Sequence, residues 1–113
     1  MTRDLVQIKH LVRLKTVDLS SNEITFLPDV EYLQDLKQIE YLQLHNNLLI
    51  SRLQLKNLTC FPVLHHLTLQ GNPCSKLKEY RQLMVDSMPQ LQSLDEFIVM
   101  DFERKDIKQM FPP

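Results

Sequence analysis

The sequence predicts an α/β repeat solenoid in which each unit contributes one short strand and one helical or 3₁₀ turn. Three observations support this prediction. Asn22, Asn47 and Asn72 recur every 25 residues, apolar residues before each asparagine fall at every third position, and the last apolar residues alternate with polar ones. A fixed period of this length is typical of stacked repeat architectures.

The repeat extends well beyond the asparagines. When the chain is shifted by 25 residues, seven further columns align without a gap, and all seven are apolar if cysteine is counted as apolar. The columns are Leu5/Val30/Leu55, Ile8/Leu33/Leu58, Leu11/Leu36/Phe61, Leu14/Ile39/Leu64, Val17/Leu42/Leu67, Leu19/Leu44/Leu69 and Ile24/Leu49/Cys74. These columns are the predicted core.

Two different spacings divide each unit. From Leu55 to Leu64, and in the two matching stretches, apolar residues are three apart, which is typical of a helical or 3₁₀ turn with one buried face. From Val17 to Leu19 they are two apart, as in a short strand. The asparagine then follows where the chain leaves the strand. Because its amide both donates and accepts, stacked copies are expected to form a ladder that binds backbone groups there.

The nine residues that end at each asparagine follow the pattern LxxLxLxxN. The three copies span residues 14–22, 39–47 and 64–72. This pattern resembles that of the leucine-rich-repeat family, and the resemblance covers essentially the whole chain. It implies a curved solenoid with a parallel sheet on the concave face and helical or 3₁₀ segments on the convex face.

The segment after the third copy resembles the carboxyl-terminal cap of intracellular leucine-rich-repeat proteins. This cap occurs in phosphatase regulators, the A-prime protein of the spliceosomal ribonucleoprotein, axonemal dynein light chain, and many centrosomal or ciliary proteins. The resemblance rests on Asn72-Pro73, Tyr80-Arg81, Val85, Pro89, Leu91 and Leu94-Asp95. Tyr80, Arg81, Leu94 and Asp95 are therefore the predicted cap residues.

An amphipathic helix is predicted within this cap. Leu77, Tyr80, Met84 and Met88 recur at helical spacing, so one helix can cover the end of the solenoid. A partial fourth repeat, displaced by 27 residues instead of 25, is expected to end at Leu94-Asp95. Three basic residues on this helix could form a small basic face, but two acidic residues dilute it, and a helix of mixed charge is usually just solvated. The basic residues are Lys76, Lys78 and Arg81, and the acidic ones are Glu79 and Asp86.

The chain divides into repeats (residues 1–74), the cap (75–100) and a tail (101–113). The tail is expected either to pack back on the cap or to begin a longer helix. At the other end, residues 5–11 match only the second half of a unit. The strand Thr16–Leu19 is therefore expected to be an open edge. We interpret the chain as a fragment, a short isoform, or a subunit whose first strand is covered by a missing repeat or another chain.

The candidate binding surface is the concave face, where outward side chains of successive strands form columns. The partner-binding candidates are Thr16, Tyr41 and His66; Asp18, Gln43 and Thr68; and Ser20, His45 and Gln70, with Ser93 and Asp95 extending the first two columns. Parallel strands roughly 4.8 Å apart would make these columns a rigid polar patch about 15 Å across. Tyr41 is the predicted anchor, because aromatic residues dominate interface energetics.

Composition argues against several other functions. The chain has 13 basic and 14 acidic residues, divided almost evenly between its halves, so neither independent nucleic-acid binding nor membrane attachment is expected. Its single glycine excludes a glycine-rich phosphate loop, and no cofactor is expected.

Cys74 lies in a core column and Cys60 in a solvent-facing one, so a disulfide is not expected. The expected location is intracellular, in the cytoplasm, nucleus, or cilium and centrosome.

The histidines do not support a catalytic or metal site. His45, His65 and His66 fall on adjacent strands, but the repeat places no further nitrogen or sulfur ligand beside them, whereas tetrahedral zinc takes four ligands. Asp18, Ser20 and His45 could approach one another, yet nothing supplies an oxyanion hole or a shielded pocket. The chain is therefore not expected to be an enzyme or to bind a metal.

The predicted function is that of a non-enzymatic protein-interaction module. It would bind a protein partner through the concave face, in a scaffolding, targeting or regulatory role. Two alternatives follow from the resemblance. One is a ribonucleoprotein component similar to the spliceosomal A-prime protein, whose concave face grips a helix of an RNA-binding partner. The other is a protein that regulates a phosphatase.

Overall fold

The structure, a computed structural model, describes residues 13–27, 36–51 and 55–104. Within these ranges five strands form one sheet, in the same order as in the sequence. They are β1 (Thr16–Asp18), β2 (Tyr41–Gln43), β3 (His66–Thr68), β4 (Ser93–Leu94) and β5 (Phe97–Ile98). The first four strands are parallel, and β5 returns antiparallel to β4. The sequence predicted the first four strands but not the hairpin that adds β5.

The strand register reproduces the repeat period. Tyr41 lies opposite Thr16 on one side and opposite His66 on the other, which are steps of 25 residues. His66 lies opposite Ser93, which is the predicted longer step of 27 residues. The solenoid of parallel strands predicted from the sequence is therefore confirmed.

Helical structure lies between and after the strands. The third unit contains a 3₁₀ helix, Lys56–Cys60, where the three-residue spacing predicts a helical or 3₁₀ turn. A second 3₁₀ helix, Pro73–Lys76, leads into the α-helix α1 (Tyr80–Ser87), and a third, Asp101–Arg104, follows β5. None of the described helices is long and apolar enough to cross a membrane.

The core consists of the predicted apolar columns. All their described members are buried except Leu14, which is half-buried and packs against the others. The cap adds Tyr80, Met84, Met88 and Leu91 to the same cluster. The column members Leu5, Ile8, Leu11, Val30 and Leu33 lie outside the described residues, as do Ile107, Phe111 and Pro112-Pro113 of the tail.

Asn47 and Asn72 are buried, with exposures of 3% and 1%, and each binds the backbone of two successive repeats. The Asn47 amide donates to the carbonyls of Leu19 and Leu44 at 3.0 and 2.9 Å. Its Oδ1 accepts from the backbone N–H groups of Asn22 and Ile24, both at 3.1 Å. These bonds satisfy buried backbone groups that would otherwise cost stability.

Asn72 repeats this arrangement one unit further along. Its amide donates to the carbonyls of Leu44 and Leu69, and its Oδ1 accepts from the Leu49 N–H at 3.0 Å. Asn22, which is half-buried, donates to the carbonyls of Leu19 and Ser20 in its own unit. The side chains therefore form the predicted ladder, in which each internal asparagine connects its own unit to the preceding one.

A left-handed residue precedes each ladder asparagine. Ser21, Asn46 and Gly71 have φ values of 57°, 60° and 79°. Gly71, the single glycine of the chain, also packs closely, because a Cβ placed on it would lie 2.1 Å from the Asn46 Oδ1. Glycine adopts this conformation without steric cost, and asparagine tolerates it better than most residues. The repeat thus includes a turn position that the apolar columns alone did not predict.

One burial prediction was wrong. Cys60 was expected to face solvent, but it is half-buried and packs against the core. It is the last residue of the 3₁₀ helix Lys56–Cys60 and directly precedes the fully buried Phe61, so its small apolar thiol packs at the edge of the core. Cys60 and Cys74 are both free thiols, and burial raises the pKa of each to about 11.

Candidate functional site

The concave face is defined by the outward side chains of β1–β3 and of the residues just after each strand. The register aligns Thr16, Tyr41 and His66 in one row and Asp18, Gln43 and Thr68 in a second. Ser20, His45 and Gln70 form a third row where the strands end, held by backbone bonds such as Ser21 N–H to the His45 carbonyl at 2.9 Å. All nine candidates therefore lie on one face, and their role in binding stays a prediction.

The first row contains a stacked aromatic pair. The Tyr41 and His66 rings have centroids 4.2 Å apart and planes inclined by 16°. His66 Nδ1 also lies 2.7 Å from the Ser93 hydroxyl, which extends the row to β4 as expected. Burial, followed by the neighbouring His65, lowers the pKa of His66, while Glu40 acts in the opposite direction. His66 is therefore predominantly neutral at pH 7 and gives Tyr41 a flat, fixed support.

The second and third rows are linked by polar contacts. The Asp18 carboxylate accepts from the Ser20 N–H at 3.0 Å and from the Ser20 hydroxyl at 2.6 Å. The Ser20 hydroxyl, and then its N–H, hold the pKa of Asp18 below its ordinary value of 3.8, so this exposed carboxylate is ionised at neutral pH. On the neighbouring strands, His45 Nδ1 lies 2.8 Å from the Thr68 hydroxyl.

These contacts differ from those of a catalytic triad. Ser20 donates to Asp18, whereas the δ nitrogen of His45 contacts Thr68. In a catalytic triad the serine hydroxyl donates a hydrogen bond to a histidine, and a carboxylate binds the other nitrogen of that histidine. Asp18, Ser20 and His45 do not show this sequence of hydrogen bonds. The part of the chain that the structure describes also contains no group of three or more potential metal ligands.

Asp95 departs from the column in which the sequence placed it. Asp95 and Glu96 form the turn of the β4–β5 hairpin with φ values of 55° and 72°, so Asp95 does not continue the strand. Its Oδ1 accepts from the N–H groups of Leu69 and Gln70 at 2.6 and 2.9 Å. Its Oδ2 accepts from the Tyr80 hydroxyl at 2.9 Å, and burial, then the Asp95 charge, raises the pKa of Tyr80. Asp95 joins the cap to the last full repeat and is not part of the concave face.

Arg81 also has a structural environment that the sequence did not predict. Its guanidinium donates to the carbonyls of Leu94, Phe97 and Ile98 at 3.1, 3.4 and 3.2 Å. Its Nε lies 2.6 Å from the Glu103 carboxylate, which raises the pKa of Arg81 and lowers that of Glu103. Lys76 and Lys78 precede α1 and do not lie on it, and Arg81 binds Glu103 and backbone carbonyls, so these three residues do not form a basic face on the helix.

The first residues of the tail pack back on the cap, which is one of the two expected arrangements. The Arg104 guanidinium donates to the Val85 carbonyl at 2.7 Å, to the Met88 carbonyl at 3.2 Å, and to the Leu91 carbonyl. The carbonyls at the end of α1 thus receive a cation, which is favourable at a helix carboxyl terminus. The division of the chain at residue 100 stays a prediction.

Several large apolar side chains on and just after β5 are exposed, which was not predicted from the sequence. They are Phe97, Ile98, Met100 and Phe102, with exposures of 71%, 70%, 50% and 72%. The signal that could have indicated them is an apolar run, residues 97–100, that fits none of the 25-residue columns.

Comparisons with known proteins agree with this geometry. The family model described as leucine-rich repeat matches residues 2–113. Leucine-rich repeat-containing protein 23 of Xenopus tropicalis is 29% identical over 99 residues, covering 88% of this chain and 28% of that protein. The centrosomal protein of 72 kDa of Mus musculus is 33% identical over 107 residues, covering 94% of this chain and 16% of that protein.

A solved structure shows the same architecture. A chain of the Drosophila melanogaster SNF/U2A' complex superposes with a TM-score of 0.80 at 28% identity, over 91% of this chain and 59% of that chain. The present chain spans less than a third of the two curated relatives and about three-fifths of this structural relative. On the family match over residues 2–113 and this shared fold, the chain belongs to the leucine-rich-repeat family.

Proposed function

We propose that this chain is a non-enzymatic module that binds a protein partner through its concave face, in a scaffolding, targeting or regulatory role. The supporting observation is the stacked pair of Tyr41 and His66, which presents a 45% exposed tyrosine on a rigid parallel sheet among polar side chains. A side chain that is already immobilised loses little conformational entropy on binding. Tyrosine is also among the residues that most often dominate interface energies.

A ribonucleoprotein component is the alternative that a specific observation favours. The structural relative is a chain of the SNF/U2A' complex, and the fold matches over nearly all of this chain. In that case the bound partner would itself be an RNA-binding protein. The near-balance of 13 basic and 14 acidic residues argues against strong RNA binding by the chain alone.

The proposed location is intracellular. Of the compartments that the sequence left open, the centrosome receives support from the mouse relative whose name describes it as centrosomal. Imaging a fluorescently tagged chain beside centrosome, cilium and nuclear markers distinguishes these compartments.

Affinity capture with a tagged 113-residue chain, followed by quantitative mass spectrometry, tests the proposal. Tyr41→Ala combined with His66→Ala should reduce recovery of the specific partner at least about fivefold, because it removes the exposed aromatic surface. Leu48→Ala is the matched control, since Leu48 is equally exposed at 47% and lies off the strands. Circular dichroism should show that both variants remain folded.

Equal partner recovery by wild type and the double variant would contradict binding through the concave face. To separate the two functions, captured material is treated with nuclease. A partner that remains bound supports protein–protein recognition, whereas salt-sensitive RNA binding by the isolated chain would favour direct RNA contact.

A further inference from the structure

The outer face of the Tyr41 ring is turned toward β1. Tyr41 lies between Thr16 and His66 in register, and its ring is nearly parallel to that of His66 at 4.2 Å. The stacking direction therefore runs from strand to strand, and the second face of the ring looks toward the position above Thr16. Threonine is too short to cover a phenol ring, which agrees with the 45% exposure of Tyr41.

Asp18 lies on the same strand as Thr16, two residues further along. Two residues of a parallel strand rise about 6.6 Å, and neighbouring strands are about 4.8 Å apart. A group stacked on the outer face of Tyr41 would lie above β1 with the Asp18 carboxylate beside it. Ser20 binds Oδ1 of that carboxylate, so the outward N–H groups of a planar cation stacked there would reach it through Oδ2, with an N–H···O contact of about 2.8 Å.

Among the described residues, the charges around this position leave one carboxylate without a lysine or arginine partner. Lys15 and Glu40 occupy equivalent positions just before β1 and β2, where the Glu40 N–H binds the Lys15 carbonyl, so this end of the two strands carries one residue of each charge. Asp18 is ionised and is bound by Ser20, and the neighbouring His45 interacts with it electrostatically, but no lysine or arginine among the described residues forms an ion pair with it. The predominantly neutral His66 adds little positive charge.

We infer that the concave face takes an arginine side chain of the protein partner, stacked on the outer face of Tyr41 and paired with the Asp18 carboxylate. This inference deepens the proposed function and rests on it. The guanidinium group is the side chain that combines a flat surface for an aromatic ring with N–H donors for a carboxylate in the same plane. Cation–π attraction to the ring adds to the contact.

Other occupants fit this position less well. A lysine ammonium has the charge but no flat surface, and it is more strongly hydrated than guanidinium. The base of a nucleotide would stack on Tyr41, but the nucleotide's phosphates would be repelled by Asp18. The first and second rows of the concave face contain no lysine or arginine to neutralise the phosphate charge. An acidic partner segment would be repelled by the same carboxylate.

Titration of the ¹⁵N-labelled 113-residue chain with three small probes tests the inference. The probes are N-acetylarginine amide, N-acetyllysine amide (acetylated only at the α-amine) and the uncharged N-acetylcitrulline amide, which has nearly the shape of the arginine probe. The arginine probe should shift the Thr16, Asp18 and Tyr41 amide signals saturably, with an affinity about threefold higher than the lysine probe. The citrulline probe should bind at least as weakly as the lysine probe.

Two variants identify the contacts. Tyr41→Leu and Asp18→Asn should each weaken arginine binding about threefold, since a cation–π contact or an exposed ion pair contributes modestly. Asp18→Asn retains an oxygen that can accept from Ser20, so the local fold is kept. Leu48→Ala should leave binding unchanged. Equal shifts with arginine and citrulline, or shifts confined to residues 97–102, would overturn the inference.

The same variants separate this inference from the proposed function. If the captured partner depends on Tyr41 and His66 but the probes show no arginine preference, the inference fails and the proposed function stands. If arginine binds at Tyr41 and Asp18 but Tyr41→Ala leaves partner recovery unchanged, the proposed function fails, and the assignment of the arginine to that partner fails with it. If both hold, Asp18→Asn should also lower partner recovery about threefold.

Discussion

Asn72 in the third repeat and Asp95 in the cap both bind the backbone of the preceding repeat, but they use different chemistry. Asn72 donates to two carbonyls and accepts from an N–H group. Asp95 only accepts, from two N–H groups and the Tyr80 hydroxyl. The donors to the Leu94 carbonyl and to β5 come from Arg81. The cap thus divides between two charged residues the functions that one amide performs inside the solenoid.

This difference follows from what lies next to each residue. An internal unit has partners on both sides and is repeated, so one neutral side chain with both kinds of group can serve every copy. The last unit has no further repeat within the described residues and ends in a hairpin. Charged side chains can remain there because Asp95 is half-buried and because Arg81, with a side-chain exposure of 32%, pairs with Glu103, whose side-chain exposure is 17%.

Asn72→Asp is the largest expected disruption. The new carboxylate would be buried against the carbonyls of Leu44 and Leu69, and both donated hydrogen bonds would be lost. Each buried group left without a partner costs about 1–3 kcal/mol, so the free energy of unfolding should fall by about 4 kcal/mol. Urea denaturation followed by circular dichroism measures this change.

Asp95→Asn is the reciprocal control. An asparagine there can still accept from the N–H groups of Leu69 and Gln70, and the Tyr80 hydroxyl can turn to accept from its amide. The expected cost is about 1 kcal/mol. If Asn72→Asp and Asp95→Asn lowered the free energy of unfolding equally, the choice of asparagine in the repeat and aspartate in the cap would not be explained by stability.

Arg81→Met should have an intermediate effect of about 2 kcal/mol, because hydrogen bonds to charged groups contribute about 1.5–3 kcal/mol. Methionine keeps much of the apolar stem while removing the contacts to Leu94 and Glu103. Hydrogen exchange should show loss of protection in β4 and β5, with β1–β3 unchanged. Loss of protection across the whole sheet would mean that cap and repeats unfold as one unit.

The pH dependence of stability sharpens this experiment. Arg81 lowers the pKa of Glu103 below its ordinary value of 4.5, so the folded state binds this proton less readily than the unfolded chain. The contribution of the pair is fully present above pH 4.5 and is lost as the pH falls through the lowered pKa. The wild type should therefore lose more stability than Arg81→Met between about pH 5 and pH 2. If the free energy of unfolding fell equally with pH in the wild type and in Arg81→Met, the Arg81–Glu103 pair would not stabilise the fold.

The smallest effect is expected for Phe102→Ser. Phe102 is 72% exposed and lies outside the core cluster, so the free energy of unfolding should change by less than about 0.5 kcal/mol. Thermal unfolding is the measurement, with buried Met88→Ala as a contrast expected to cost about 3 kcal/mol. A large loss in Phe102→Ser would mean that apolar contact, and not the charged residues alone, secures the cap.

The sequence predicted the repeats well because each column obeys one constraint many times. Leu42 and Leu67 are buried for the same reason, so their pattern recurs and is visible without a structure. The same holds for the register that brings Tyr41 beside His66. The left-handed backbone conformation before each ladder asparagine was not predicted. Ser21, Asn46 and Gly71 share a positive φ angle but no side-chain type, so no residue column marks this position.

The cap was predicted only in outline, since its contacts occur once. Nothing in the sequence spacing indicates that Arg81 pairs with Glu103 or that Asp95 binds the Tyr80 hydroxyl, because a hairpin turn and a 3₁₀ helix create these contacts. The stacking of Tyr41 on His66 depends on side-chain rotamers, which columns of residue types do not specify. Register is therefore readable from a repeat, whereas side-chain orientation is not.

Because neighbouring strands are a constant distance apart, side chains on the concave face are separated by whole multiples of the strand spacing. Because each unit contacts only its neighbours, a further 25-residue unit placed between β1 and β2 would leave both flanking units chemically intact. It would nevertheless move Asp18 away from Tyr41 by one strand spacing, about 4.8 Å. The spacing between functional groups on this protein is thus encoded in the number of units, and it can change in whole increments while the fold stays the same.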